Sequence, residues 1–156
     1  MRLKLQNQMM IELEVQNIDS FTDVPSERQF EQWAEVVLRE YDSADFVIRL
    51  VGIEESRQLN GRYRNVDKAT NVLSFCAELP PELGLHQLGD IVICAPLVCS
   101  EAVEQKKPIQ SHWAHLTVHG ILHLLGYDHL NDQEAGQMEA LEIEILNDLG
   151  FPNPYA

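Results

Sequence analysis

Residues 112–129 read His112-Trp113-Ala114-His115-Leu116-Thr117-Val118-His119-Gly120-Ile121-Leu122-His123-Leu124-Leu125-Gly126-Tyr127-Asp128-His129. Five of the chain's six histidines fall in this stretch. His112, His115, His119 and His123 step by three, four and four, so the spacing predicts a helix from about Gln110 to Leu125 with four imidazoles on one face. Gly126 ends it, because glycine tolerates positive φ and lets the chain reverse. His129 then follows on the returning segment.

Two imidazoles four residues apart on a helix can converge on one ion. Residues eight apart are separated by ~12 Å along the axis, so His115, His119 and His123 do not serve one metal together. The pattern His-x3-His-x2-Gly-x2-His supplies its third ligand through the turn. It selects His119, His123 and His129 as a zinc set, and His115 with His119 and another partner as the competing geometry. Three neutral histidines and one open position make a catalytic arrangement, whereas structural zinc more often has four ligands, commonly cysteines. The spacing is that of the metzincin zinc site, in which the first histidine is followed by a catalytic glutamate. Here that position is Gly120. Peptide hydrolysis would lack its general base, while a phosphodiester transition state can be stabilised by a metal and an arginine.

Upstream, Ile11, Leu13 and Val15 alternate with polar residues, the period of a half-buried strand. Phe30, Trp33, Ala34, Val37, Leu38 and Tyr41 line one face of a helix over 26–41, with Ser26 as its cap. Phe46 to Val51 reads as a second strand. Glu54 to Asn60 reads as a short helix stopped by Asn60-Gly61. Asn71 to Cys76 and Asp90 to Cys94 read as two more strands, separated by a loop with Pro80-Pro81, Gly84 and Gly89. Pro96 opens a helix of about 96–106. Downstream of the histidines, Asn131 and Glu134 have capping-box spacing, and Met138, Leu141, Ile145 and Leu149 recur at helical period until Gly150. Four short strands among five helices predict an α+β fold, a single domain over 1–156 with one mixed sheet.

The chain has 156 residues, and the formal charge is −14 from 25 acids and 11 bases. That sign argues against broad, non-specific nucleic-acid binding. The charge is uneven: residues 130–150 hold six acids and no base, and Arg57, Arg62, Arg64 and Lys68 gather in residues 57–68. The apolar runs are too short to span a bilayer, and Met1 to Met10 lacks the apolar core of a signal peptide. Cys76, Cys94 and Cys99, an odd count, fit a reducing compartment and read as buried small residues.

The stretch from His119 to His129 resembles the signature of the YbeY metal-dependent endoribonucleases, a bacterial rRNA maturation factor family. Leu59-Asn60-Gly61-Arg62-Tyr63-Arg64-Asn65-Val66-Asp67-Lys68-Ala69-Thr70-Asn71-Val72-Leu73-Ser74-Phe75 is similar to its second signature, and Leu88-Gly89-Asp90-Ile91 to its third. The likeness covers about residues 45–155. Ala69 stands where the family usually has proline, and so does Cys76 after Phe75.

The resemblance implies one Zn2+ per chain on His119, His123 and His129, and a functional arginine at Arg64. It implies cleavage of single-stranded RNA, 3′ end maturation of the small-subunit (16S) rRNA, ribosome quality control and a cytoplasmic place of action. The partners expected are rRNA and the small ribosomal subunit, with no membrane and no DNA. Chemistry agrees at Arg64, which can clamp a phosphate with a bidentate guanidinium. His115 orients the site, meets RNA or packs; Asp128 supports a ligand or shapes the turn. The competing functions are another metallohydrolase, or a non-catalytic ribosome assembly factor with a zinc site.

Overall fold

The computed structural model describes residues 10–78 and 87–156. Four strands, β1 (Met10–Gln16), β2 (Ser43–Val51), β3 (Val72–Cys76) and β4 (Gln87–Cys94), form one sheet in the order β1-β2-β4-β3. β1, β2 and β4 run parallel, and β3 pairs antiparallel with β4 at the edge. Among the described residues five helices accompany it: α1 (Glu27–Val37), α2 (Ile53–Arg64), α3 (Ala95–Glu104), α4 (Ile109–Leu124) and α5 (Asp132–Asp148). The expected α+β fold is therefore the one adopted: a mixed four-stranded sheet with five helices.

The two faces of the sheet differ. Leu13, Phe46, Ile48, Ile91 and Ile93 point to the face covered by α1 and α4, where Phe30, Trp113 and Ile121 are essentially dry. The alternate residues Val51, Leu73, Val92 and Cys94 point to the other face, where Leu59 of α2 and Leu97 of α3 pack on them. Period two in the strands sorts the side chains, and the apolar face of each helix follows. Phe30 meets Trp33 and Trp113 edge-on at 5.7 and 6.0 Å, which locks α1 against α4.

The helix ends carry the expected chemistry with two exceptions. Ser26 and Gln29 form a reciprocal capping box, and the Asn131 side chain accepts the Glu134 N–H. Helix α1 stops earlier than its apolar stripe suggests. Leu38 is its C-cap, and Tyr41 lies outside at 42% exposure, because the chain must turn to enter β2. Helix α2 runs straight through Asn60-Gly61 and ends at Asn65, which takes the left-handed conformation with φ 59. The reason is Asn60 itself: its side chain is buried and donates to the Lys68 carbonyl at 2.7 Å, so it stays in the helix and grips the following loop. Ser56 does the same one turn earlier, donating to the Thr70 carbonyl and accepting its N–H.

The Pro80-Pro81 and Gly84 part of the expected loop, and Met1 to residue 9, lie outside the described residues. No described helix is long and apolar enough to cross a membrane.

Candidate metal centre

Helix α4 leaves the sheet with its histidine row along one side. Gly120, on the other side of the same turn, is what allows α4 to sit so close. A Cβ there would come within 2.9 Å of Ile91 Cγ2 and 3.4 Å of Ser74 Oγ. Position 120 is thus spent on the helix–sheet approach, and any carboxylate there would be driven into β4. Strand β3 is fastened to the same helix: Ser74 Oγ donates to the Gly120 carbonyl at 3.0 Å, and Cys76 Sγ lies 3.6 Å from the His123 carbonyl. Cys76 is exposed, contrary to the reading of all three cysteines as buried; Cys94 is buried and Cys99 intermediate. Cys76 ends an edge strand, and among the described residues no further strand covers it.

The chain turns at Gly126 with φ 104, and the Tyr127 N–H returns to the Leu122 carbonyl. Asp128 accepts the backbone N–H of His129 at 2.8 Å, so it shapes the turn. The result is convergence. His119, His123 and His129 each offer a ring nitrogen, all within 4.8 Å of one another. The Nε2 atoms of His119 and His123 lie 3.1 Å apart. Tetrahedral Zn–N bonds of about 2.0–2.1 Å place ligand nitrogens ~3.3 Å from each other, so the donor set fits such an ion. His129 is the exposed member, leaving that side open to a substrate. Burial, with the nearby His119 and His129, holds His123 below its ordinary pKa and favours the neutral imidazole a metal needs.

The competing geometry also closes. His115 and His119 form a second group with Glu142. Sequence reading missed Glu142, which comes from α5 and is 1% exposed. Its Oε1 meets His115 Nε2 at 2.5 Å and accepts the Tyr155 hydroxyl at 2.7 Å; its Oε2 lies 3.2 Å from His119 Nδ1. Burial alone would raise this carboxyl, but the hydrogen bonds from His115, His119 and Tyr155 outweigh it and bring its pKa down to about 2. Burial, reinforced by the carboxylate, pushes the Tyr155 hydroxyl pKa up. The signal in the sequence was an acid four residues after Met138, inside an apolar stripe.

Arg64 is the last residue of α2, exposed, and has no ion pair among the described residues. The helix that carries it packs through Leu59 on the face of the sheet opposite α4. Tyr63 beside it packs edge-on against Phe75 at 5.1 Å, while Ser74 and Cys76 on the opposite face of β3 hold α4. Of the cationic cluster, Arg57 is paired with Glu54 and Asp67, whereas Arg62, Arg64 and Lys68 make no such pair among the described residues. His112 is buried and bound to Glu101, which also accepts from Asn71, so the first histidine of the row ties α4 to α3 and the start of β3.

The family model described as Endoribonuclease YbeY matches residues 9–150. The chain belongs to this family. It is therefore placed among endoribonucleases of rRNA processing, as the resemblance of its three signatures implied. A solution structure of TM1509 from Thermotoga maritima is similar in fold, with a TM-score of 0.59 at 22% identity over 90% of this chain and 92% of that one. The YbeY match spans α2, with Arg64, and α4 together with the turn after it, which carry the three converging imidazoles.

Proposed function

We propose that the chain is a zinc-dependent endoribonuclease for single-stranded RNA, acting in the cytoplasm as one domain over residues 1–156. Its task would be 3′ end maturation of 16S rRNA in the small ribosomal subunit, and ribosome quality control with it. The observation that carries this reading is the convergence of His119, His123 and His129 beside an open face in a YbeY family chain.

In this reading the three imidazoles hold one zinc. When bound, the ion supplies Lewis-acid stabilisation of charge and activation of water. Arg64 binds the scissile phosphate, its planar fork matching two phosphoryl oxygens as charge grows there. Tyr63 and Asn65 position it: Tyr63 braces the last turn on Phe75, and Asn65 ends the helix. Gly120 contributes no proton acceptor, which sets this site apart from zinc peptidases.

The test is single-turnover cleavage of a single-stranded RNA by wild type, His119→Ala, His123→Ala and Arg64→Ala, purified identically, with zinc content measured on each. The histidine variants should lose zinc and cleavage together. Arg64→Ala should keep its zinc and lose cleavage by on the order of 10²-fold, the cost of one transition-state donor. Arg64→Lys should recover only part. Full zinc in His123→Ala would sink the ligand assignment, and wild-type rates in Arg64→Ala would remove Arg64 from the reaction. The charge of −14 favours one second reading, an assembly factor whose zinc is structural. That reading wins if no variant changes a cleavage rate and chelation unfolds the chain.

A further inference from the structure

Glu142 is a core carboxyl, 1% exposed, and among the described residues it bonds His115, His119 and Tyr155 and no lysine or arginine. An ionised carboxylate is kept in such a place only when its oxygens are well satisfied. Here both are. A carboxylate has no proton to give, so every ring nitrogen facing it must be the donor. His115 then donates from Nε2 and His119 from Nδ1. The consequence at His119 is specific. With its proton on Nδ1, the neutral ring carries its lone pair on Nε2, the atom that faces His123 Nε2. Among the described residues, no other carboxylate bonds a ring nitrogen of the three converging imidazoles.

A helix-to-helix pin would be the plainer account of Glu142. It explains the bond to His115 but gives no reason for the second oxygen to take Nδ1 of a converging imidazole. The Tyr155 hydroxyl, contributed after α5 ends, caps the remaining lone pair on Oε1. Lys107 donates to the Pro154 carbonyl at 2.7 Å and so seats the segment that carries Tyr155.

We propose that Glu142, backed by His115 and Tyr155, is a positioning residue that fixes the proton of His119 on Nδ1 and thereby sets the zinc affinity of the three-imidazole site. The proposal rests on the reading that His119, His123 and His129 hold a metal. Partners of this kind are worth about 10–100-fold in metal affinity. Glutamine keeps the volume of Glu142 but has a single acceptor oxygen. Either its amide nitrogen faces His119 and drives that ring to the Nε2–H tautomer, or the bond weakens.

The experiment is a zinc titration of wild type, Glu142→Gln, Tyr155→Phe and His123→Ala in competition with a chromophoric chelator. Imidazole 15N NMR of the metal-free proteins is recorded alongside. Wild type should bind one tight equivalent. Glu142→Gln should bind it about 10–100-fold more weakly while staying folded by circular dichroism, and Tyr155→Phe should fall between the two. Metal-free wild type should show His119 protonated on Nδ1, and Glu142→Gln should lose that signature. Folded Glu142→Gln with wild-type affinity overturns the proposal. So does a wild-type His119 carrying its proton on Nε2, a result that needs no variant to fold. Two equivalents in wild type, of which Glu142→Gln loses one and keeps the tight one, would make Glu142 a ligand of a separate ion and also overturn it. Equal affinity in wild type and His123→Ala would instead remove the metal reading on which the proposal stands.

Discussion

His112 is the buried histidine of the row, 4% exposed and bound to Glu101. Burial lowers its pKa from the ordinary 6.5, and the Glu101 carboxylate only partly offsets this. The sign follows from linkage. Below pH 6.5 the unfolded chain takes up a proton at this position that the folded chain refuses, so stability falls as pH drops through that value. Metal-free protein in chelator should therefore melt progressively lower below about pH 6.5, and His112→Gln should flatten part of the slope. An unchanged slope in His112→Gln would assign the effect elsewhere. Legibility at this scale was uneven. The three converging histidines were visible because spacing alone restricts them. Glu142, Tyr155 and Glu101 were not, since a lone acid or tyrosine carries no period. Their partners lie 27, 40 and 11 residues away along the chain.

At the scale of elements, the sequence carried types well and ends less well. Among the described residues, all four strands and five helices stand where alternation and helical period put them. The α2 end did not, because Asn60-Gly61 has the composition of a stop while tertiary hydrogen bonding to Lys68 keeps Asn60 helical. The extra turn is what carries Arg62 and Arg64. The α4–sheet contact gives a sharper prediction. Alanine for glycine in an open helix gains about 1 kcal/mol. At Gly120 the added methyl meets the branched carbon of Ile91, which is buried and cannot swing away. Gly120→Ala should instead destabilise the protein by about 1–3 kcal/mol, the cost of overpacking. Thermal melting of the metal-free variant reads the sign directly, and a rise would show that α4 has room to move.

For the whole molecule, the sheet sets the distances. Arg64 and the imidazoles of α4 come from helices packed on opposite faces of the sheet, and their membership of one site is an expectation from the likeness of signatures, never from spacing. Charge is the other whole-molecule property. The chain has 11 cations against 25 acids, and Arg39, Arg49 and Arg57 are already paired with acids. If Arg62, Arg64 and Lys68 are the phosphate contacts, RNA binding should weaken with salt at a log–log slope of about −2, shallow for a nucleic-acid protein. A slope steeper than about −4 would bring further cations into contact.

The three imidazoles also lie close along the chain, between residues 119 and 129, joined by one helical turn and the bend at Gly126. A denatured chain can bring such near neighbours together at small entropic expense. It should keep a loose hold on zinc, so zinc would bind both sides of the folding equilibrium. Added zinc would then raise the melting temperature less steeply than its affinity for the native state alone dictates, and the gain would level off at high concentration. If these imidazoles are the ligands, metal capture has no need to wait for the sheet: the 119–129 segment would acquire its ion first, and Glu142 would tighten the hold once α5 has docked.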